Sequence, residues 1–178
     1  SIVDIDELTG PLFGRSKSAT FRTLDVAGLD VLGHVAGTMA QALPSDEARA
    51  GFALPAVVDE LINRGWLGEK TGQGFYKRIK LPDGASRILV LDPARFEYVP
   101  TKPVSLPELD RVRQVDDVRT RIRILFAADD RVGAFMRATL SPALEYAARV
   151  APDIAHRIDD VDRVMRWGFG WDGEGDPI

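Results

Sequence analysis

Ser16-Lys17-Ser18-Ala19-Thr20-Phe21-Arg22-Thr23-Leu24-Asp25-Val26-Ala27-Gly28-Leu29-Asp30-Val31-Leu32-Gly33-His34-Val35-Ala36-Gly37-Thr38-Met39 is the stretch on which the fold turns. Within it Phe21, Leu24, Val26, Leu29, Val31, Leu32, Val35 and Met39 recur mainly at three- and four-residue steps, the period of a helix with one apolar face. Ser16-Lys17-Ser18 puts cap chemistry ahead of it, since a hydroxyl at a helix start can accept from the unpaired first-turn amides. Gly28, Gly33 and Gly37 each weaken such a helix by about 1 kcal/mol relative to Ala. They predict close approach of another backbone or a break between two helices. Upstream, Asp4-Ile5-Asp6-Glu7-Leu8 starts a short helix that Thr9-Gly10-Pro11 stops. Downstream, Leu54-Pro55 through Trp66 predicts an amphipathic helix with Val57, Val58, Leu61 and Ile62 inward and Gly65 closing it.

The period then changes. Gly74 to Ile79 and Arg87 to Asp92 are rich in β-formers and are separated by Pro82-Asp83-Gly84, so they predict a two-stranded hairpin. Pro93 to Pro107 carries further prolines at 100 and 103 and predicts an extended linker. Helical periodicity returns with Leu109, Val112, Val115, Val118, Ile122 and Leu125 or Phe126 on one stripe. A helix over about Val132 to Val150 follows, and Pro152 marks a new start ahead of Ile154, Ile158, Val161, Val164 and Met165.

The chain has 178 residues, of which 45% are hydrophobic and 28% charged, enough apolar material for a packed core. Its net charge of -4 disfavours a nucleic-acid partner, which would select a basic excess to neutralise phosphates. No stretch approaches the roughly 18–20 apolar residues of a membrane span. Cysteine is absent, which removes disulfides, thiolate zinc sites and thiol nucleophiles together. The start at Ser1-Ile2-Val3 carries no signal-peptide pattern, so a piece of a soluble cytoplasmic protein is expected.

Motifs that could carry chemistry are thin. Gly168-Phe169-Gly170-Trp171-Asp172-Gly173 spells a dinucleotide fingerprint, but no strand precedes it and no helix can follow, so it reads as a Gly-rich turn. Gly68-Glu69-Lys70-Thr71 resembles the end of a P-loop with a carboxylate in the place of the required Gly. Lys70 to Tyr76 reads as a tight turn feeding a strand, with an anion held by its amides and one ammonium as the alternative. His34 lies in an apolar helical run and reads as a packed histidine; His156 reads as a solvated helix position. Asp4/Asp6 and Asp160/Asp162 read as acids favoured by the dipole at helix starts. Asp172-Gly173-Glu174-Gly175-Asp176 lacks the order of a calcium loop. No metal site and no catalytic residue are assigned.

Asp4 to Leu8, with Phe13-Gly14, aligns at a constant offset with Asp160 to Val164 and Phe169-Gly170, which reads as a repeated structural unit. The runs Asp6 to Pro11, Gly14 to Asp25, Gly28-Leu29-Asp30 and Gly65 to Lys77 closely resemble the C-terminal helical domain of 3-hydroxyacyl-CoA dehydrogenases. Ala147, Ala148, Pro152, Ile154-Ala155, Ile158 and Asp162 to Trp171 resemble the opening of a second copy of that domain, with Gly173 to Ile178 departing from the family pattern.

The resemblance implies a mainly α fold of the 6-phosphogluconate-dehydrogenase C-terminal type with a small β-hairpin. It divides the chain into a first helical domain over 1–100, a linker over 101–108, and the start of a second, degenerate copy over 109–178. It implies a parent NAD-dependent (S)-3-hydroxyacyl-CoA dehydrogenase of fatty-acid β-oxidation, with this chain shaping the acyl side of the cleft and a domain or subunit interface. NAD would be bound by a Rossmann domain absent from this chain, so the chain alone is expected to be inactive. The implied partners are an acyl-CoA substrate, the protein's own Rossmann domain and a second copy in a homo-oligomer. The turn and helix from Arg15 to Asp25 correspond to the family's cleft-facing segment. Lys17, as an anion or domain contact, and Phe21, as an apolar wall, are therefore the substrate-side candidates, with solvated cap neighbour and ordinary core as the alternatives. A non-catalytic helical interaction module that kept the fold is the other functional reading.

Overall fold

The computed structural model describes residues 1–169, so the 168–173 glycine motif beyond Phe169 and the acidic 172–176 run lie outside the described residues. The chain divides into two compact units. The first comprises Ser1–Asp6 and Thr20–Val104; the second comprises Glu7–Ala19 and the described residues from Ser105 onward.

In the first unit, helix α1 (Ile2–Leu8) contributes its start, followed by α2 (Phe21–Ala27), α3 (Leu29–Ala42) and α4 (Ala56–Asn63). The expected long helix is therefore two. Gly28 separates them at φ 101, a conformation open to glycine at little cost. The break changes the phase of the apolar stripe. Leu29 is fully buried and Phe21, Leu24 and Leu32 pack on the core, whereas Val26, Val31, Val35 and Met39 face outward. Gly33 lies within α3 and meets side chains rather than the expected backbone: a Cβ there would lie 3.1 Å from Ile62 Cδ1 of α4. In α4 the expected face is inward, with Val58 and Leu61 buried and Val57 and Ile62 packed beside them, and Gly65 follows at φ 70.

The sheet has three antiparallel strands in the order β1 (Tyr76–Lys80), β2 (Ser86–Asp92), β3 (Glu97–Pro100). The β1–β2 hairpin is the expected one; β3 occupies the segment read as linker. Its sequence is short and ends on Pro100, which is tolerated at the end of an edge strand. Pairing of Val99 with Val90 and Tyr98 with Leu91 makes it a strand. Aromatic packing holds it there: Trp66 lies 5.7 Å from the Phe96 ring and 5.3 Å from the Tyr98 ring, and the Tyr98 hydroxyl donates to the Gly74 carbonyl at 2.6 Å. Ile2, Leu29, Val58, Leu61, Phe75, Val90 and Leu91 form this unit's buried core.

In the second unit, a 3₁₀ turn over Pro11–Phe13 and another over Pro107–Val112 accompany α5 (Val118–Phe126), α6 (Arg131–Ile154) and α7 (Ile158–Phe169). Leu109, Val112, Leu125, Val132 and Met136 are buried here. The continuous stripe expected from Leu109 to Phe126 is interrupted, because a 3₁₀ turn precedes α5 and Asp117 starts the helix anew by accepting from the Thr120 amide at 2.7 Å. Asp130 caps α6 by accepting from the Val132 and Gly133 amides at 3.0 and 2.9 Å. Gly133 is required by contact: a Cβ would run into the Ala128 carbonyl.

Pro152 does not begin a helix. It sits in the last turn of α6, and the chain breaks only at 155–157. A proline so near the end forfeits one intrahelical bond, which the rest of the 24-residue helix outweighs. The start of α7 at Ile158 is in register with the start of α1 at Ile2, as the internal echo implies, but α7 runs on to Phe169 where α1 stops at Leu8. The corresponding residues Met165-Arg166-Trp167 lack the Thr9-Gly10-Pro11 stop.

Candidate functional site

The most constrained part of the first unit is the loop Gly68–Gly74 where it meets the end of α2. Asp25 is 1% exposed and accepts from the amides of Phe75 at 2.8 Å and Tyr76 at 2.7 Å, one on each carboxylate oxygen. Burial pushes its carboxyl above the ordinary range, opposed by those two amides and by Arg22. Glycine is needed around it. At Gly68 (φ 103) a Cβ would run into the Asp25 carbonyl, and at Gly74 it would meet the Asp25 carboxylate and lie 2.7 Å from Gly68 Cα. Gly72 is left-handed at φ 79. Thr71 closes the turn: its hydroxyl oxygen accepts from the Leu67 amide at 2.9 Å and lies 3.2 Å from the Gly68 and Gln73 carbonyls. The segment is thus the tight turn expected, and the Lys70 ammonium is bound to Asp30.

A second carboxylate ties the opposite end of α2. Asp6 accepts from the Thr20 and Phe21 amides at 3.1 and 2.7 Å and from the Tyr76 hydroxyl at 2.7 Å. Asp6 therefore satisfies the start of α2 rather than its own helix, a correction to the reading of Asp4/Asp6 as one dipole-favoured pair. Asp4 does sit in the first turn of α1, 2.9 Å from the Ser1 amino group. The Tyr76 phenol is held far above its ordinary pKa, first by burial and then by its bond to Asp6, so it stays protonated. Tyr98 shifts the same way through burial and the charge of Asp25.

Of the two substrate-side candidates, Phe21 packs against Phe75 with ring centroids 4.5 Å apart and borders the core of the first unit. Lys17 is exposed in the segment 14–19, which belongs to the second unit. In that unit Arg15 borders a small apolar pocket of about 80 Å³ with Phe13, Ile122, Phe135 and Met136, and burial lowers the pKa of its guanidinium. That volume is well below the roughly 300 Å³ at which small-molecule sites begin. His34 is exposed on α3, not packed as expected, because the phase change at Gly28 turns this side of the helix outward; His156 is exposed as expected. Among the described residues no three His, Asp or Glu side chains gather as a metal site. No helix among them is long and apolar enough to cross a membrane.

Residues 1–78 match the family described as 3-hydroxyacyl-CoA dehydrogenase, C-terminal domain. The match takes in the first 78 of the 178 residues. The buried Asp25 and its two amide donors, and the glycines at 68, 72 and 74, all lie inside the matched residues. A relative from Bacillus subtilis named a probable 3-hydroxyacyl-CoA dehydrogenase is 38% identical over 169 residues, 95% of this chain and 21% of the relative. One of the same name from Deinococcus radiodurans is 46% identical over 77 residues, 43% of this chain and 21% of the relative. A Rickettsia prowazekii protein bearing the name of a fatty acid oxidation complex trifunctional enzyme is 24% identical over 172 residues, 96% of this chain and 22% of that protein. The chain thus spans about a fifth of the length of the curated relatives it matches. No solved structure matches it at a significant level.

Sequence reasoning quoted Asp25 only as a letter in a motif and missed the roles of Asp6 and Tyr76. Their bonds join residues 14 to 70 positions apart, and local pattern carries no signal for them.

Proposed function

We propose that the chain is part of an NAD-dependent (S)-3-hydroxyacyl-CoA dehydrogenase of fatty-acid β-oxidation, in which it shapes the acyl side of the substrate cleft and a domain or subunit interface. The family match over residues 1–78, extended by 38% identity along nearly the whole chain to a relative of that name, carries the reading. The 169 matched residues are only 21% of the Bacillus subtilis relative, which leaves room for the dinucleotide-binding part in the protein this chain represents.

Bound NAD⁺ would accept the hydride from the hydroxyacyl carbon. The residues described here do not fit that cofactor: their sheet is an antiparallel meander, without the strand, Gly-rich turn and helix of a pyrophosphate cradle. No chemical step is therefore assigned to these side chains. Their contribution is geometric. The two aspartates fix α2 at both ends against the loop and strand that follow, which sets the position of Phe21. The outward row Val26, Val31, Val35 and Met39 supplies an apolar surface suited to a neighbouring domain or subunit. Lys17 and Phe21 are the residues proposed to face the acyl-CoA.

The test is a nicotinamide-reduction assay with 3-hydroxybutyryl-CoA. The full-length protein should turn over, whereas the 178-residue chain alone should not. A full-length protein that binds no NAD⁺ and has no turnover would favour the non-catalytic interaction module instead.

A further inference from the structure

The exposed side of β1 borders a groove of about 430 Å³ that the dehydrogenase reading leaves without a role. Its volume lies within the roughly 300–1,000 Å³ of small-molecule sites. Four cationic side chains line it, Arg22, Lys77, Arg78 and Lys80, against the single carboxylate of Glu69. This is unusual in a chain of net charge -4. Arg22 and Glu69 are joined in an ion pair, and the Lys77 ammonium stands 5.2 Å from the Tyr98 ring centroid. Arg78 and Lys80 are exposed and, among the described residues, have neither a hydrogen bond nor an anionic partner.

The backbone explains why these charges converge. Tyr76, Arg78 and Lys80 alternate along β1 and project from one face of the strand. Ile88 stands opposite Arg78 in the ladder and, at 40% exposed, gives the groove an apolar wall beside the Tyr76 ring. Gly72 forms part of the rim, and nothing lies within 4 Å of where its Cβ would be, so the entrance is open there. Like charges held on one strand repel each other unless an anion joins them. The cations outnumber what a single carboxylate would need, and the arginines suit the bidentate geometry of phosphate oxygens. An apolar wall within such a cluster suits a phosphate group that carries an organic part. The patch is too short for a continuous nucleic-acid track, which a chain of negative net charge also disfavours.

We propose that this groove binds the phosphorylated nucleotide end of a coenzyme A ester, whose pyrophosphate and 3′-phosphate match the cluster of cations. The choice of coenzyme A over other phosphates rests on the dehydrogenase reading; the preference for a polyphosphate anion rests on the groove alone.

Isothermal titration calorimetry of the chain at low salt, with coenzyme A, dephospho-coenzyme A and inorganic pyrophosphate as probes, tests it. The double variant Arg78→Glu/Lys80→Glu should weaken coenzyme A binding by about tenfold or more, and raised salt should weaken the wild type in the same direction. Arg87→Glu, at the ladder position opposite Ile79 on the other face, should leave binding unchanged. The milder Arg78→Gln/Lys80→Gln pair, checked by its melting curve, guards against a folding defect. Dephospho-coenzyme A should bind more weakly than coenzyme A. Equal coenzyme A affinity in wild type and both double variants would overturn the groove. Pyrophosphate binding as tight as coenzyme A would overturn the nucleotide assignment. Dehydrogenase turnover in the full-length protein with a coenzyme A affinity indifferent to Arg78 and Lys80 would sink the groove and spare the dehydrogenase reading; the reverse pattern would spare the groove.

Discussion

Replacing Asp25 by alanine isolates what holds the first unit together. The carboxylate is 1% exposed, and its two oxygens satisfy the amides of Phe75 and Tyr76 at 2.8 and 2.7 Å. Removing it orphans two amides, and each unsatisfied buried donor costs about 1–3 kcal/mol. Relief of the penalty for burying a charge, the same burial that raises the carboxyl's pKa, returns part of that. The net expectation is a loss of about 3 kcal/mol, or roughly 6–12 °C in Tm for a chain of this size. Asp25→Asn keeps one acceptor and nearly the same volume, so about half the loss is expected. Urea unfolding read by tryptophan fluorescence measures it. In a Trp167→Phe/Trp171→Phe background Trp66, packed on Phe96 and Tyr98, reports on the first unit alone. The pH dependence has a fixed sign. Because the folded pKa is raised, the Asp25 contribution is complete below the ordinary 3.8 and declines as pH rises through the folded value. The margin of wild type over Asp25→Asn should therefore narrow with rising pH. An Asp25→Ala protein within about 0.5 kcal/mol of wild type would refute the two-amide account.

Three further outcomes follow from the same geometry. Gly74→Val should destabilise more than Gly72→Val in denaturant titrations, by about 1 kcal/mol or more, because it adds a clash with Asp25 where Gly72 faces only left-handed strain; equal losses would mean the loop gives way. Phe21→Ala should cost the first unit about 3 kcal/mol through its lost packing on Phe75. If the proposed dehydrogenase function holds, Phe21→Ala in the full-length protein should also lower kcat/KM for a C10 substrate more than for C4, since each buried CH₂ is worth about 0.8 kcal/mol; equal losses at both lengths remove Phe21 from the cleft wall. Asp130 is held below the ordinary carboxylate range, first by the Gly133 amide and then by Arg111, so its support of α6 is complete above 3.8 and lost as pH falls through the lower folded value. Helicity of the second unit should decline over that window in wild type and less steeply in Asp130→Asn, measured by circular dichroism.

What the amino-acid sequence determined by itself was local. Helical period, turn chemistry and the Gly65–Lys77 motif were enough for the mainly helical class, the β1–β2 hairpin, the inward face of α4 and the resemblance to the dehydrogenase C-terminal domain that residues 1–78 match. Each of these depends on residues within a few positions of one another, where propensity and spacing act directly. Tertiary structure decided what distance along the chain had hidden. It made a strand of Glu97–Pro100 because Val90 and Leu91 offered an open edge and Trp66 a ring surface. It turned Val35 and His34 outward because one glycine reset the phase of a helix. It recruited Asp6 to cap a helix fourteen residues away and Asp25 to satisfy a strand fifty residues away. A buried amide must find a partner wherever the fold supplies one, and that search runs through space rather than along the sequence.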